Sequence, residues 1–190
     1  MPISIVDHFR KFVTISDDDI EIINKYIKRN AFKKKEELLR NGQICKSLYF
    51  VEQGCLRMFY INSKSTEQIT QFAIDGWWLA DFFSFMDKKE SDYFIQAIEA
   101  SIVVSIDYQS FESLLVEIPQ LERYFRIIMQ KNLAASQLRT KYLYEMSKEE
   151  FYYHFTNSFP DFVQRVPQYM IASYLGLSPE YVSELRKKNK

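Results

Sequence analysis

The side chains whose types and spacing could do chemistry cluster near the end of the chain, over residues 168–190. Gly176 suits the left-handed end of a first helix, because glycine adopts positive φ at low cost. Ser178 can cap a second helix with its hydroxyl oxygen, and Pro179 suits the first turn of that helix. The sequence therefore predicts two short helices joined by a tight turn, with a basic end.

Three positions indicate that this pair is a helix-turn-helix. Ala172 is small where two helices must approach, Gly176 follows four residues later, and Val182 follows six residues after that. Small, glycine and apolar residues at these offsets are typical of the motif whose second helix enters the major groove of DNA. An ordinary helical hairpin is the alternative interpretation.

The second helix would carry the side chains that meet DNA. Glu180 can accept a hydrogen bond from cytosine N4, whereas the cations near the end would contact phosphate and supply salt-dependent affinity. The predicted DNA-binding residues are Gln168, Tyr169, Ser178, Glu180, Tyr181, Ser183, Glu184, Arg186, Lys187 and Lys188.

The composition is that of a folded protein with one specialised end. The 190 residues are 47% hydrophobic and 16% aromatic, and the formal net charge is zero. A protein that coats nucleic acid with its whole surface would be more basic. Because neither a secretory signal nor a long apolar run is visible, we expect a cytoplasmic protein without a membrane partner.

The first half of the chain predicts an antiparallel β-barrel. Short segments rich in Tyr, Phe, Ile and Val alternate with Asn-Gly, Gln-Gly and Asp-Gly turns. Many strands without intervening helices are typical of a barrel or a sandwich. The expected strands are 31–35, 47–52, 55–61, 66–74, 93–99 and 101–107.

Helical patterns flank this barrel. Ser16 would cap a helix that runs to about residue 29, with three aspartates in its first turn. A short helix over 109–116 precedes a long helix that ends near residue 145. Ser147 and Glu150 form a capping box that begins another helix, which Pro160 ends.

The long helix carries an apolar stripe at alternating spacings of three and four residues, which is typical of a coiled-coil seam. An asparagine within such a seam commonly fixes its register. The alternative is a helix whose stripe packs on the barrel of the same chain. We expect a homodimer paired through Leu121, Phe125, Ile128, Asn132 and Ala135.

Together these elements predict an α+β fold in three parts. An antiparallel β-roll or jelly-roll barrel with flanking helices occupies residues 1–116, and a long dimerisation helix follows over 117–145. A small helical helix-turn-helix domain occupies residues 146–190.

This order of elements resembles the cyclic-AMP receptor protein/fumarate–nitrate regulator (Crp/Fnr) family of bacterial transcription regulators. The resemblance is strongest over residues 165–188 and 76–101, and in style it is similar to the short-tailed subgroup common in Bacteroidetes. It implies a homodimer with two reading heads on a symmetric stretch of double-stranded DNA. It also implies RNA polymerase as a partner.

The resemblance places an effector pocket at Ala80, Asp81, Phe82, Phe83, Ser91 and Asp92. A cyclic phosphate needs an arginine and free N–H groups at a helix start. The arginine of nucleotide-binding members is absent here, Asp92 adds negative charge, and Lys88 and Lys89 lack the bidentate fork of arginine. We therefore expect neither cyclic AMP nor another cofactor. The pocket would be filled by aromatic side chains or would take an unknown, more apolar effector; the aromatic residues are Trp77, Trp78, Phe82, Phe83 and Phe85.

The sequence lacks a recognisable catalytic or metal-binding set. Cys45 and Cys55 are too few for an iron–sulfur cluster or a four-thiolate zinc site, and reduced structural roles or a mutual disulfide are both open. His8 and His154 are far apart in sequence, and no Ser/His/Asp arrangement is evident. We expect a protein that is not an enzyme. The alternative function is a small-molecule-sensing or protein-interaction module that has lost DNA binding.

Overall fold

The computed structural model describes residues 2–188, so Met1, Asn189 and Lys190 of the predicted domains lie outside the described residues. The helices are α1 (Ile5–Arg10), α2 (Asp17–Tyr26), α3 (Phe82–Asp87), α4 (Tyr108–Glu117), α5 (Gln120–Glu145), α6 (Lys148–Ser158), α7 (Pro160–Arg165), α8 (Gln168–Leu175) and α9 (Pro179–Lys188). Within residues 2–188, no helix is long and apolar enough to cross a membrane.

The strands form two four-stranded sheets, which confirms the predicted β-rich region. One sheet has the order β1-β8-β3-β6 and the other β2-β7-β4-β5, and each strand pairing with a recorded register is antiparallel. The strands are β1 (Lys28–Phe32), β2 (Glu37–Leu39), β3 (Ser47–Gln53), β4 (Cys55–Ile61), β5 (Glu67–Ile74), β6 (Trp78–Leu79), β7 (Phe94–Ala97) and β8 (Ser101–Asp107).

Strands β4 and β8 have the predicted bounds, but the shortest elements escaped prediction. Strands β2 and β6 span three and two residues. Segments this short cannot show a recognisable alternation of apolar and polar residues. Helix α2 ends at Tyr26 instead of near residue 29, because Ile27 turns to an extended conformation and β1 follows. Pro160 begins a separate helix, α7, at its first position instead of only ending α6.

The predicted cap at Ser16 and the predicted capping box at Ser147 are present, and both are reciprocal pairs. The Asp19 N–H donates to Ser16 Oγ at 3.1 Å, and the Ser16 N–H donates to a carboxylate oxygen of Asp19 at 2.8 Å. Ser147 and Glu150 make the same reciprocal pair at 3.2 and 2.8 Å, and the hydrogen bonds from Ser147 lower the pKa of the Glu150 carboxyl. Two orphan N–H groups at the start of each helix are thereby satisfied.

The first half of the predicted dimer seam is wrong. Leu121, Phe125 and Ile128 are buried within their own protomer. The Phe125 ring lies 4.8 Å from that of Phe111 and 5.2 Å from that of Trp78, between ring centroids. A stripe at spacings of three and four residues serves a monomer core as well as a helix pair, and here the monomer core takes it. Asn132 and Ala135, by contrast, are exposed.

The described chain divides into two compact units. The first holds the residues up to Tyr60 together with Thr70–Ile128, and the second holds Ile61–Ile69 and the residues from Met129 onward. The first unit contains most of the β-structure and the aromatic core. The second contains the latter part of α5, helices α6 to α9, and the segment that joins β4 to β5.

Candidate nucleic-acid interface and effector pocket

The turn between α8 and α9 has the predicted geometry. Gly176 adopts φ 70° and ψ 29°, and the Leu177 N–H donates to the Ala172 carbonyl at 2.8 Å. Ser178 then accepts a hydrogen bond at its Oγ from the Tyr181 N–H at 3.2 Å. A left-handed glycine and a serine cap within three residues allow the chain to end one helix and begin the next at once.

The inner face of the helix pair is a small apolar core. Ala172, Val182 and Leu185 are almost completely buried, as the spacing of the motif predicts. The hydroxyl of Tyr153 on α6 donates to the Leu185 carbonyl at 3.0 Å. Helix α9 is therefore fixed by packing on α8 and by a hydrogen bond from α6.

The outer face of α9 is exposed and carries charges of both signs. Glu180 and Glu184 lie one turn apart, and Arg186, Lys187 and Lys188 occupy the last turn. The Lys188 ammonium lies 3.9 Å from a carboxylate oxygen of Glu149, an exposed pair that contributes little to stability. An acidic first turn followed by a basic last turn could combine base contacts with phosphate contacts.

The remaining predicted DNA-binding residues differ in exposure. Ser183 and Tyr169 are exposed, whereas Gln168 and Tyr181 are half-buried. The Ser178 hydroxyl is exposed, but its oxygen is already engaged as the cap of α9. The structure thus brings the predicted set together on one helix pair.

The predicted effector pocket contains a buried polar cluster formed by Asp81, Ser84 and Ser91. One carboxylate oxygen of Asp81 accepts the Ser84 N–H at 3.2 Å, and the other accepts the Ser91 hydroxyl at 2.6 Å. The Ser84 hydroxyl donates to the Lys89 carbonyl at 2.6 Å and accepts the Cys45 N–H at 2.8 Å. These contacts tie the start of α3 to the segments before and after it.

The Asp81 carboxylate lies at the start of α3, where it is buried. It caps α3 and uses the Ser84 N–H, one of the donors that a phosphate at this helix start would require. Ser91, where nucleotide-binding members carry arginine, faces Asp81 with a neutral hydroxyl. The Asp92 side chain is exposed, and Ser91 is the residue that meets Asp81.

The predicted aromatic filling of the pocket is only partly right. Phe83 and Trp77 are 65% and 50% exposed, so neither fills the interior, because α3 presents Phe83 outward and Trp77 lies in the turn before β6. Trp78 and Phe85 are buried, and Phe82 is half-buried. Phe85 packs against Tyr108 of α4 with ring centroids 5.3 Å apart. Ala80 is also buried.

Known protein families and known proteins are similar to this chain over the regions described above. The family model for the cyclic nucleotide-binding domain matches residues 29–117. The fumarate and nitrate reduction regulatory protein of Vibrio cholerae is 26% identical over 184 residues, covering 90% of this chain and 73% of that protein. The transcriptional activator protein Anr of Pseudomonas protegens is 26% identical over 185 residues, covering 91% and 75%. The chain is similar to these regulators over most of its length, and Crp/Fnr regulators are therefore its homologues.

Solved structures share the fold of this Crp/Fnr homologue. The c-di-GMP responsive global regulator CLP of Xanthomonas campestris has a TM-score of 0.71 at 16% identity and covers 91% of each chain. The catabolite activator protein of Thermus thermophilus has a TM-score of 0.57 at 16% identity, covering 92% of this chain and 83% of that one. The predicted α+β fold is confirmed.

A buried arginine on β4 of the Crp/Fnr homologue was missed by the sequence reasoning. The Arg57 guanidinium donates to the Gln96 side-chain oxygen from Nε at 3.1 Å and from Nη2 at 2.8 Å. Its carbon also lies 4.1 Å from the centroid of the Phe59 ring. A single charged residue within an apolar run gave no sign that it faced a cross-strand amide.

The cysteines and histidines considered as possible metal-binding or catalytic residues have structural surroundings of their own. Cys45 and Cys55 are buried and are not joined in a disulfide, and burial raises the pKa of the Cys45 thiol. The Tyr124 hydroxyl lies 2.7 Å from His8 Nδ1 and accepts the Trp78 Nε1–H at 2.7 Å. His154 packs on the Tyr142 ring. Across residues 2–188, no group of three His, Cys, Asp or Glu side chains is arranged to hold a metal ion.

Proposed function

We propose that this Crp/Fnr homologue is a homodimeric, sequence-specific DNA-binding transcription regulator whose barrel works without cyclic AMP. The observation that carries the proposal is the helix pair α8–α9. It has a left-handed glycine turn, a buried Ala172–Val182 interior and an outer face open to solvent. Helix pairs of this form read DNA by placing the second helix in the major groove.

Different residues on the outer face of α9 contact the bases and the phosphates. Glu180 and Glu184 accept hydrogen bonds from base edges such as cytosine N4. Arg186, Lys187 and Lys188 neutralise phosphates and give the affinity its salt dependence. Ser183 and Tyr169 add polar contacts beside them.

We propose that the dimer pairs through a seam on α5 that is displaced by one residue, toward the C-terminus, from the predicted seam. The side chains of residues 130–138 are all exposed, although this stretch includes leucines and alanines. Leu133 and Leu143 are 61% and 48% exposed. Residues 129, 133, 136, 140 and 143 follow spacings of four and three, the pattern of a helix-pairing seam. Asn132 and Ala135 would flank this seam.

Independence from cyclic AMP is supported by the Asp81–Ser91 pair. A nucleotide phosphate would have to displace the buried Asp81 carboxylate or lie against it, and like charges in a buried site repel strongly. No arginine stands at position 91 to offset that cost. Two donors near the start of α3, the Ser84 N–H and the Ser91 hydroxyl, are already used within the chain.

Selection of genomic fragments by the purified full chain tests the proposal. We expect enrichment of a two-fold symmetric sequence whose half-sites lie one helical turn, about 34 Å, apart. Selection is run at two salt concentrations, because affinity without stated salt is uninterpretable. Loss of enrichment at both concentrations, with an intact dimer, would overturn DNA binding.

The second candidate is a protein-interaction module, favoured by the two glutamates on the outer face of α9. Both are exposed, and each repels DNA phosphate. In that case the selection enriches nothing, and replacing both glutamates with glutamine restores general, salt-sensitive DNA affinity. A specific site for the unmodified chain excludes this candidate.

A further inference from the structure

Two adjacent residues at the end of α8, Ser173 and Tyr174, are held by parts of the chain that lie outside the helix pair. Ser173 is bonded to residues 67–69, at the start of β5, and Tyr174 is bonded to Arg139 of α5. All of these residues belong to the second compact unit. The last turn of α8 is therefore held by hydrogen bonds from the start of β5 and from α5.

The hydroxyl and the carbonyl of Ser173 both form hydrogen bonds with the start of β5. The Ser173 hydroxyl accepts the Ile69 N–H at 2.9 Å and donates to the Glu67 carbonyl at 2.8 Å. The Gln68 side-chain N–H donates to the Ser173 carbonyl. Three hydrogen bonds on one residue fix both the position and the rotation of the helix end.

The contact with α5 is made by a single guanidinium. Arg139 Nη2 donates to the Tyr174 carbonyl at 2.7 Å, and the guanidinium carbon lies 4.2 Å from the centroid of the Tyr174 ring. Carbonyls in the last turn of a helix lack intrahelical donors and attract cations. The planar fork of arginine can stack and donate at the same time, which lysine cannot do.

Fixing α8 also fixes the reading helix. Ala172 is the neighbour of Ser173 on α8, and it is buried in the same small core as Val182 of α9. A rotation of α8 about its end would therefore carry the outer face of α9 with it. None of the residues that make these contacts lies on the outer face of α9. Changing them can therefore alter the direction of that face without altering the side chains that it presents.

Resting on the proposed function, we infer that Ser173 and Arg139 are positioning residues that set the spacing at which the two reading helices of a dimer engage DNA. A dimer with firmly held heads gains affinity only when both half-sites match their separation, because the second contact is then intramolecular. Heads that are loosely held accept several spacings and gain less at each. Base preference within a half-site is unchanged in both cases.

The test uses the selected site with its half-sites moved apart or together by one and two base pairs, and a single half-site. The full chain is compared with Ser173→Ala, Arg139→Lys and the matched control Ser158→Ala, which is an exposed serine near the end of α6. Binding is measured by fluorescence anisotropy at one fixed salt concentration. Ser173→Thr retains the hydroxyl and reports whether the side-chain bonds are the cause.

We expect Ser173→Ala and Arg139→Lys to keep single half-site affinity while the ratio between the best and the shifted spacings falls about fivefold, equivalent to about 1 kcal/mol for one hydrogen bond. Ser158→Ala leaves the ratio unchanged, and Ser173→Thr retains most of it. A spacing preference as sharp in both variants as in the wild type overturns the inference. Parallel loss of half-site and full-site affinity also overturns it, because that result indicates a merely unstable head.

Failure of the proposed function has a different signature. If the wild type binds no selected site at any spacing, DNA reading itself is wrong and the inference falls with it. If Ser173→Ala does not fold, as judged by its thermal melting, Arg139→Lys alone decides the outcome. That variant keeps the positive charge and most of the reach of the side chain, but loses the planar fork.

Discussion

The Ser91 hydroxyl donates a 2.6 Å hydrogen bond to a carboxylate oxygen of Asp81, and both side chains are buried. The other oxygen of Asp81 accepts the N–H of Ser84 at the start of α3. A buried carboxylate with a neutral hydroxyl and a backbone donor is satisfied without any ligand. The pair is the physical basis of the proposal that this barrel works without a cyclic nucleotide.

Replacing Ser91 with alanine should reveal how much the pair stabilises the barrel. Ser91→Ala leaves a buried carboxylate oxygen of Asp81 without its hydroxyl donor, so we expect the free energy of unfolding to fall by about 1–3 kcal/mol. Urea denaturation followed by tryptophan fluorescence measures this change. Asp92→Asn is the control, and because its side chain is exposed it should change stability by no more than about 0.5 kcal/mol. Equal stabilities for Ser91→Ala and Asp92→Asn would contradict the assignment.

The core of the helix pair offers a second prediction. Leu185 is completely buried, so Leu185→Ala should lower stability by about 2–5 kcal/mol through lost burial and a cavity. DNA binding should fall in proportion to the unfolded fraction of the head. Circular dichroism melting beside a binding titration checks both effects. Full DNA affinity in a variant with a melted head would be incompatible with reading by α9.

The local signals for this helix pair were strong enough to predict it from sequence. Gly176, Ser178 and Pro179 each act within a few residues, so turn, cap and helix start follow from neighbouring residue types alone. The Ser16 cap of α2 and the capping box of α6 were predicted for the same reason. In each case the hydrogen bond joins residues three apart.

Contacts between distant segments left no such signal. Ser173 meets residues more than a hundred positions earlier, and Arg139 meets a carbonyl 35 positions later. The predicted seam failed differently, because Leu121, Phe125 and Ile128 have the spacing of a helix pair but pack on their own core. Periodicity gives the face of a helix, and only tertiary structure decides what covers it.

Base reading and phosphate contact should separate by mutation. Glu180→Ala is expected to relax preference at one or more base positions while leaving the salt dependence nearly intact. Lys187→Ala should weaken binding to every sequence and reduce the slope of log K against log salt by about one. Mobility shifts over a salt series with matched and mismatched sites measure both quantities. Identical behaviour of wild type and both variants would rule out this division of roles.

The shifted seam on α5 predicts that Leu133 is needed for dimerisation and that Leu138 is not. Leu133→Glu places a charge in the proposed pairing face, so we expect the dimer to dissociate to monomers. Leu138→Glu makes the same chemical change about 140° around the helix, and it should leave the dimer intact. Sedimentation equilibrium decides between them. Dissociation by Leu138→Glu alone would move the seam to another face.

Acid sensitivity should arise in part at the start of α4. Asp107 accepts the Ser110 N–H at 2.9 Å, and this hydrogen bond holds the pKa of the Asp107 carboxyl below its usual value. A lowered folded pKa gives stability that is present above the unfolded value, about 3.9, and lost as pH falls through the folded value. Asp107→Asn should therefore show a smaller loss of unfolding free energy than the wild type between pH 5 and pH 2. Parallel pH profiles in urea titrations would dismiss this cap as a source of acid sensitivity.

The most direct measurement is the affinity of the full chain for its selected DNA site, with and without saturating cyclic AMP. We predict specific binding in both cases, with dissociation constants that agree within about twofold. An increase of about tenfold or more in affinity with cyclic AMP would contradict the account, because coupling of that size needs a nucleotide seated in the barrel.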